Sequence, residues 1–226
     1  MAESDRRSAR VLHYTTGRRA GSMKDAAARQ AVLSTLGLGV RPAFLLRQVH
    51  GTGIVAVRDA EAPAIAPEAD GLLTELPGIL LCVFVADCVP LFLWEKTGKA
   101  AGVFHAGWRG AADGMPRAAV KAFGEHYGIK PEDLRFRIGP HIRKCCFRVG
   151  PETAERFRPA SRIRRDGGLF VDLDGEVRAQ LEESGVPDAA VVRLPRECTG
   201  CESEMFFSYR HEKTDSRMMA FITIDS

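Results

Sequence analysis

The sequence predicts a mixed α+β chain folded as one domain, and three observations predict it. Residues 79–86 are apolar at every position, the mark of a strand buried on both faces. Two further apolar runs, 89–94 and 100–105, read as its neighbours. Helical patterns fall among the strands without regular alternation, which favours α+β layers over a doubly wound sheet. At 226 residues the chain exceeds the usual size of one domain but still fits a single core, and no repeat or linker-like segment divides it.

In chain order, residues 24–36 read as a helix, with Ala28, Val32 and Leu36 four apart and Gly37 and Gly39 stopping it. Strands are expected at 43–50 and 53–57, followed by the three apolar runs. Asp113 is expected to cap a helix to about Tyr127, with Met115, Ala119, Ala122 and Phe123 on its inner stripe and Gly128 ending it. Residues 135–139 read as a strand. Pro151 opens a helix at a favoured first-turn position, and Asp174 is expected to cap another whose Val177 and Leu181 share a face until Gly185. Strands near 190–194 and 217–224 close the chain.

Composition narrows the function classes. A net charge of +3, with lysines and arginines spread along the chain, gives no argument for a nucleic-acid partner. The one local cluster, Arg156, Arg158, Arg162, Arg164 and Arg165, reads as a solvated loop around Pro159 and Gly167. The apolar stretch 78–94 is interrupted by Asp87 and Pro90 and falls short of a membrane span. The start MAESDRRSAR lacks the apolar core of a secretory signal, so a cytoplasmic location is expected.

Six cysteines without a signal segment point to reduced thiols with packing, metal or catalytic duties. Cys82 lies inside an apolar run and reads as core. Cys198 and Cys201 form a CxxC and Cys145 and Cys146 are adjacent, a set compatible with a structural zinc site or a redox motif. Vicinal cysteines rarely direct both thiols at one metal, however, and no thioredoxin-like context surrounds Cys198. The reading is therefore against a second metal site.

The chemistry is expected at His50, Cys88 and His105, each at the end of an apolar run beside small residues or glycine. Side-chain alternation over 46–50 would put Leu46, Gln48 and His50 on one strand face. Side chains at the ends of separate strands can converge on one pocket. Two imidazoles and a thiol suit zinc and leave a fourth position open, as catalytic zinc sites do, although their wide spacing is unlike that of a zinc finger. Taken singly, each histidine is more often a hydrogen-bonded structural residue than a metal ligand, and it is the combination that points to a metal. In GWRG, Gly107 and Gly110 allow a tight turn that exposes Arg109, whose planar fork of donors matches an oxyanion. Spacing alone leaves Arg109 equally a surface arginine.

The runs RQVHGTGIVAV, EADGLLT, LLCVFVADCVPLFLWE, GVFHAGWRG, IGPHIRKCCFRVG and FFSYRHE, in this order, resemble the laccase-domain family. Its members have been called multicopper polyphenol oxidoreductases, peptidoglycan-editing factors and purine nucleoside phosphorylases. The resemblance extends over residues 45–224. It implies a four-layer α/β/β/α sandwich and a catalytic zinc on His50, Cys88 and His105, with copper second to zinc. It also implies phosphorolysis of adenosine, inosine, guanosine and methylthioadenosine to base and ribose 1-phosphate, with deamination of adenosine beside it. The expected partners are thus a purine nucleoside and phosphate, acting on a monomer. On that reading Arg109, Arg47, Arg210 and Gln48 are candidates for substrate or phosphate. Asp70 and Asp87 are candidates for proton transfer or for supporting the metal ligands. The chain departs from the family in having only YTTGRRAGSMKD where members carry a longer segment, and in placing Arg148 where an acidic residue is common.

Two other classes use the same residues. Cys88 as nucleophile with His105 as base would make a cysteine hydrolase acting on amides such as those of cell-wall precursors. A non-catalytic partner domain would use the metal only to hold loops together. A multicopper oxidase needs many imidazoles, and the chain has six histidines in all.

Overall fold

The computed structural model describes residues 10–61, 66–187 and 197–225. Its strands are β1 (Arg10–Thr15), β2 (Ala43–Phe44), β3 (Ile54–Val57), β4 (Gly71–Thr74), β5 (Leu80–Val85), β6 (Val89–Glu95), β7 (Ala101–Ala106), β8 (Leu134–Ile138), β9 (Arg148–Val149), β10 (Arg162–Arg165), β11 (Gly168–Val171) and β12 (Met218–Asp225). Its α-helices are α1 (Ala26–Thr35), α2 (Trp108–Ala112), α3 (Met115–Tyr127), α4 (Pro151–Glu155), α5 (Leu173–Glu183) and α6 (Tyr209–Glu212). The chain is thus α+β, as expected. No helix among the described residues is long and apolar enough to cross a membrane.

The strands form a four-stranded sheet in the order β1-β12-β5-β2, a five-stranded sheet in the order β3-β4-β7-β6-β8, and a small sheet β10-β11-β9. Every residue of β7, and all but one each of β5, β6 and β12, is buried, which is why these runs carry no polar alternation. One apolar cluster joins Val83, Val85, Ala220 and Ile222 of the four-stranded sheet to Leu72, Phe92, Ala101 and Val103 of the five-stranded sheet. A second joins the other face of the five-stranded sheet, through Leu91, Leu93 and Phe104, to α3 and α5 through Phe123, Val177 and Leu181. A third holds Leu33 of α1 against Leu80, Cys82, Met219 and Phe221, so Cys82 is a core residue. A Cβ on Gly71 would meet Phe104 Cδ1 at 2.5 Å and one on Gly102 would meet Phe104 Cζ at 2.7 Å. These glycines therefore let the Phe104 ring lie flat across two strands.

Several local expectations are corrected. The expected strand 43–50 pairs with β5 only at Ala43–Phe44, after which the chain leaves that ladder and makes a single isolated bridge, Arg47 to Glu68. Beyond it, Gln48 takes the place of a backbone, its amide accepting from Phe84 N at 2.7 Å and donating to Phe84 O at 2.9 Å. Asp113 does not cap α3. An unexpected helix, α2, has Asp113 as its C-cap, and α3 is entered through Gly114 at φ +95°. Asp172, not Asp174, caps α5, accepting from Gly175 N at 3.1 Å, while Asp174 pairs with Arg178 one turn on. Much of the arginine cluster is solvated as expected, with Arg156, Arg164 and Arg165 exposed, but it is not a loop: Arg162–Arg165 pair with Gly168–Val171 across a two-residue turn at Asp166 (φ +50°) and Gly167 (φ +68°), the left-handed pair that fits a tight hairpin. Arg158 lies between Glu176 at 3.1 Å and Glu183 at 2.6 Å. The strand expected at 190–194 falls outside the described residues.

Candidate metal centre

Strand register brings the three donors together. In the antiparallel pair β6–β7, Val89 faces Ala106 and Pro90 faces His105, so Cys88, one residue before β6, meets the exit of β7. In the pair β4–β7, Gly71 faces Phe104, and the next hydrogen bond beyond it runs from His105 N to Asp70 O at 2.7 Å. His105 has the parity of Ala101 and Val103, so its side chain lies on the face turned to the four-stranded sheet. His50 arrives from the loop before β3, its ring edge-on to His105 with centroids 4.9 Å apart. One donor atom from each of His50, Cys88 and His105 lies within 4.8 Å of the others.

Asp70 organises this centre. It is fully buried, and its carboxylate accepts from Val49 N at 3.2 Å, His50 N at 3.0 Å and Gly51 N at 2.7 Å. These bonds fold the 49–51 loop around one carboxylate and hold His50 at φ +61°, a conformation uncommon outside glycine. The same carboxylate lies 2.7 Å from His105 Nδ1, which leaves Nε2 as the donor facing Cys88 and His50. A carboxylate behind a ligating imidazole fixes its tautomer and raises its basicity.

Gly107 forms the floor of the centre. A Cβ there would lie 3.0 Å from His50 Cδ2, 3.2 Å from Cys88 Sγ and 3.5 Å from His105 Cε1. Behind it, a Cβ on Gly110 would lie 2.8 Å from Gly51 O, so both glycines allow α2 to close on the His50 loop. His105 is 2% exposed, Cys88 is half-buried and His50 is open to solvent. The donor set is therefore reached from one side.

The electrostatics suit a cation. Burial pushes the Cys88 thiol up, but the His105 charge and hydrogen bonds to both imidazoles outweigh it and bring the thiol down to about 6. Burial disfavours the His105 cation, but the Cys88 thiolate and Asp70 raise it to about 9. Burial likewise works against the Asp70 anion, yet the His105 hydrogen bond and the Gly51 and His50 amides hold its carboxyl below the usual range. Two nitrogens and a sulfur at these separations form a donor set compatible with zinc.

The remaining candidates lie in different surroundings. Asp87, at φ +85°, accepts from Thr199 Oγ1 at 2.7 Å and from Arg210 N at 2.6 Å, so both of its oxygens are engaged and the residue before Cys88 ties down the turn at Thr199 and the start of α6. Arg47 is paired with Glu68 and Gln48 with Phe84. Arg210 stacks on Phe147 with its guanidinium bonded to Arg148 O. Arg109 is exposed, lies 4.4 Å over the Trp108 ring and has no carboxylate partner among the described residues. A cavity of about 600 Å³ lined by Tyr14, Arg19, Arg137, Glu197 and Met205 contains none of the three donors. The sequence marks Gly107 only as a turn residue exposing Arg109, not as part of the centre, and does not single out Thr199. Glycine beside a ligand in HAGWRG was the available signal for the first, and nothing local signalled the second.

The fold is a mixed α+β chain with a candidate metal centre in which two imidazoles and a thiol converge. Residues 15–225 match the family model described as multi-copper polyphenol oxidoreductase laccase, and the chain belongs to that family. It is 35% identical over 192 residues to the purine nucleoside phosphorylase YlmD of Geobacillus stearothermophilus, covering 77% of this chain and 69% of that protein. It is 31% identical over 198 residues to the adenosine deaminase RL5 of an unknown prokaryotic organism, covering 81% of this chain and 75% of that one. The crystal structure of YlmD from Geobacillus stearothermophilus superposes with a TM-score of 0.85 at 28% identity, covering 97% of this chain and 93% of that one.

Proposed function

We propose that the chain is a zinc-dependent purine nucleoside phosphorylase that also deaminates adenosine, acting in the cytoplasm as a monomer. The observation that carries the reading is the His50–Cys88–His105 cluster backed by Asp70, in a chain whose relatives bear the names of both activities. His50, Cys88 and His105 would hold the zinc ion, which when bound would supply Lewis-acid chemistry.

The chain's own residues supply the rest. Arg109 binds phosphate, because of the three candidate arginines it is the one whose guanidinium has neither a carboxylate nor a carbonyl partner among the described residues. A guanidinium fixed beside the reacting carbon orients the phosphate oxygens and offsets their charge. Asp70 is a positioning residue, since its oxygens already accept from His105 and three backbone amides. Asp87 positions as well, through Thr199 and Arg210.

Incubation of the purified protein with inosine and phosphate, with products resolved by chromatography, is expected to yield hypoxanthine and ribose 1-phosphate only when phosphate is present. Adenosine is expected to yield inosine without phosphate. Absence of both free base and deaminated product from zinc-loaded protein overturns the reading.

One observation favours a second reading. Cys88, lowered to about 6, faces His105, which is oriented by Asp70, the nucleophile, base and orienter order of a cysteine hydrolase. Cys88→Ala separates the two. Loss of bound zinc together with nucleoside turnover supports the metal enzyme, whereas an acyl adduct on Cys88 in zinc-free protein supports the hydrolase.

A further inference from the structure

Four of the other five cysteines meet at a second place. Cys145 Sγ lies 3.4 Å from Cys198 Sγ and 3.5 Å from Cys201 Sγ, and Cys146 Sγ lies 3.4 Å from Cys201 Sγ. All four sulfurs lie within 4.8 Å of one another. Cys145 and Cys201 are exposed, so apolar packing does not account for the gathering. Thiolates at about 2.3 Å from one tetrahedral ion stand about 3.8 Å apart, close to these separations, whereas a disulfide requires about 2.05 Å.

The backbone is shaped for convergence. Cys146 N and Phe147 N both donate to Arg143 O at 2.8 Å, which turns the vicinal pair back on itself. Cys201 N and Glu202 N donate to Cys198 O at 3.1 and 3.0 Å, which curls the CxxC into a matching turn. The two turns are joined by Thr199 N donating to His141 O at 3.1 Å and by Arg143 N donating to Cys198 Sγ at 3.4 Å. An N–H aimed at sulfur favours its thiolate form. Gly200 makes the approach possible, since a Cβ there would lie 2.8 Å from Cys146 Cβ and 3.0 Å from Cys146 Sγ.

We propose that Cys145, Cys146, Cys198 and Cys201 bind a second, structural zinc ion, closed to substrate because protein sulfur fills all four positions. This corrects the sequence expectation: the vicinal thiols do converge, because Cys201 Sγ meets both of them while Cys198 Sγ meets Cys145. On binding, each thiol releases its proton to solvent and no electron is transferred. The ion staples the 141–147 turn to the 197–202 turn. Both turns reach Asp87, through Ile142 N on its carbonyl at 2.9 Å and Thr199 Oγ1 on its carboxylate at 2.7 Å. The ion thereby braces the residue that precedes Cys88.

Zinc per chain is measured by plasma mass spectrometry on the full chain purified under reducing conditions. The wild type is expected to hold about two ions, Cys88→Ala about one, and Cys145→Ser with Cys201→Ser about one. A cysteine double variant that keeps the full wild-type complement overturns the proposal. So does an intact mass showing these four thiols paired as disulfides in freshly purified protein. If the double variant does not fold, Cys88→Ala reloaded with cobalt decides: intense thiolate-to-cobalt charge-transfer bands of a tetrahedral site are expected, and their absence overturns the proposal. Because Cys88→Ala removes only the first centre, failure of the nucleoside reading and failure of this one give different results.

Discussion

Asp70 Oδ1 lies 2.7 Å from His105 Nδ1, and the same buried carboxylate gathers the backbone amides of Val49, His50 and Gly51. One side chain therefore orients one metal donor directly and places a second through its loop. Asp70→Asn retains the shape but halves the accepting capacity and sets an amide NH₂ against an N–H. It is expected to weaken zinc binding about 10–100-fold, measured by competition with a chromophoric chelator. Unchanged affinity would remove Asp70 from the account.

Gly107 has ordinary extended backbone angles, φ −59° and ψ 165°, so the effect of a methyl group there is steric alone. Gly107→Ala is expected to push the His50 ring and Cys88 Sγ outward by a few tenths of an ångström and to reduce zinc affinity. Ser or Val should reduce it progressively further. A titration series showing equal affinity for Gly, Ala and Val would contradict the floor assigned to this residue.

Metal binding should be coupled to protons with a definite sign. In the metal-free protein the Cys88 thiol, at about 6, is ionised at neutral pH, while His105, at about 9, is protonated. Binding then releases about one proton from His105 between these values, so apparent affinity rises about tenfold per pH unit and falls more steeply below the Cys88 value. Calorimetry at pH 7 in buffers of different ionisation enthalpy checks the proton count. Release of none would show that His105 is not the ligand that must deprotonate.

His13 makes the fold acid-sensitive away from the centre. Burial, then the charge of Arg137, lowers it from 6.5 to about 4, and Arg137 donates to its Nδ1 at 3.0 Å. Because the folded value lies below the unfolded one, the unfolded chain takes up the proton first. Stability is therefore lost as pH falls from 6.5 and levels off near 4. After allowance for partial exposure the loss is about 2 kcal/mol, read from urea unfolding at each pH. His13→Gln is expected to flatten that segment of the profile.

What was legible in the sequence follows a physical division. β5, β6, β7 and β12 announced themselves because burial on both faces leaves no room for polar alternation, and α1 because its apolar spacing and glycine stop are local. His50, Cys88 and His105 stood out as donors at run ends. The strand expected to carry His50 was wrong because its geometry is set by tertiary partners, Asp70 for the loop and Phe84 for Gln48. Asp113 looked like a cap because α2, nucleated where β7 leaves the sheet, has no periodic signal in five residues. The meeting of Cys145 and Cys146 with Cys198 and Cys201 depends on two turns far apart in the chain, which spacing alone does not encode. Asp87 was a candidate from the sequence for proton transfer or for supporting the metal ligands. Its attachment to Thr199 and Arg210 belongs to the three-dimensional structure.

An anomalous difference map at the zinc edge, from crystals of the zinc-loaded protein, tests the shared ion at His50, Cys88 and His105 most directly. The account predicts a peak about 2.0–2.1 Å from one nitrogen of each imidazole, Nε2 in the case of His105, and about 2.3 Å from Cys88 Sγ. A zinc-saturated crystal with no peak bounded by those three atoms would contradict it.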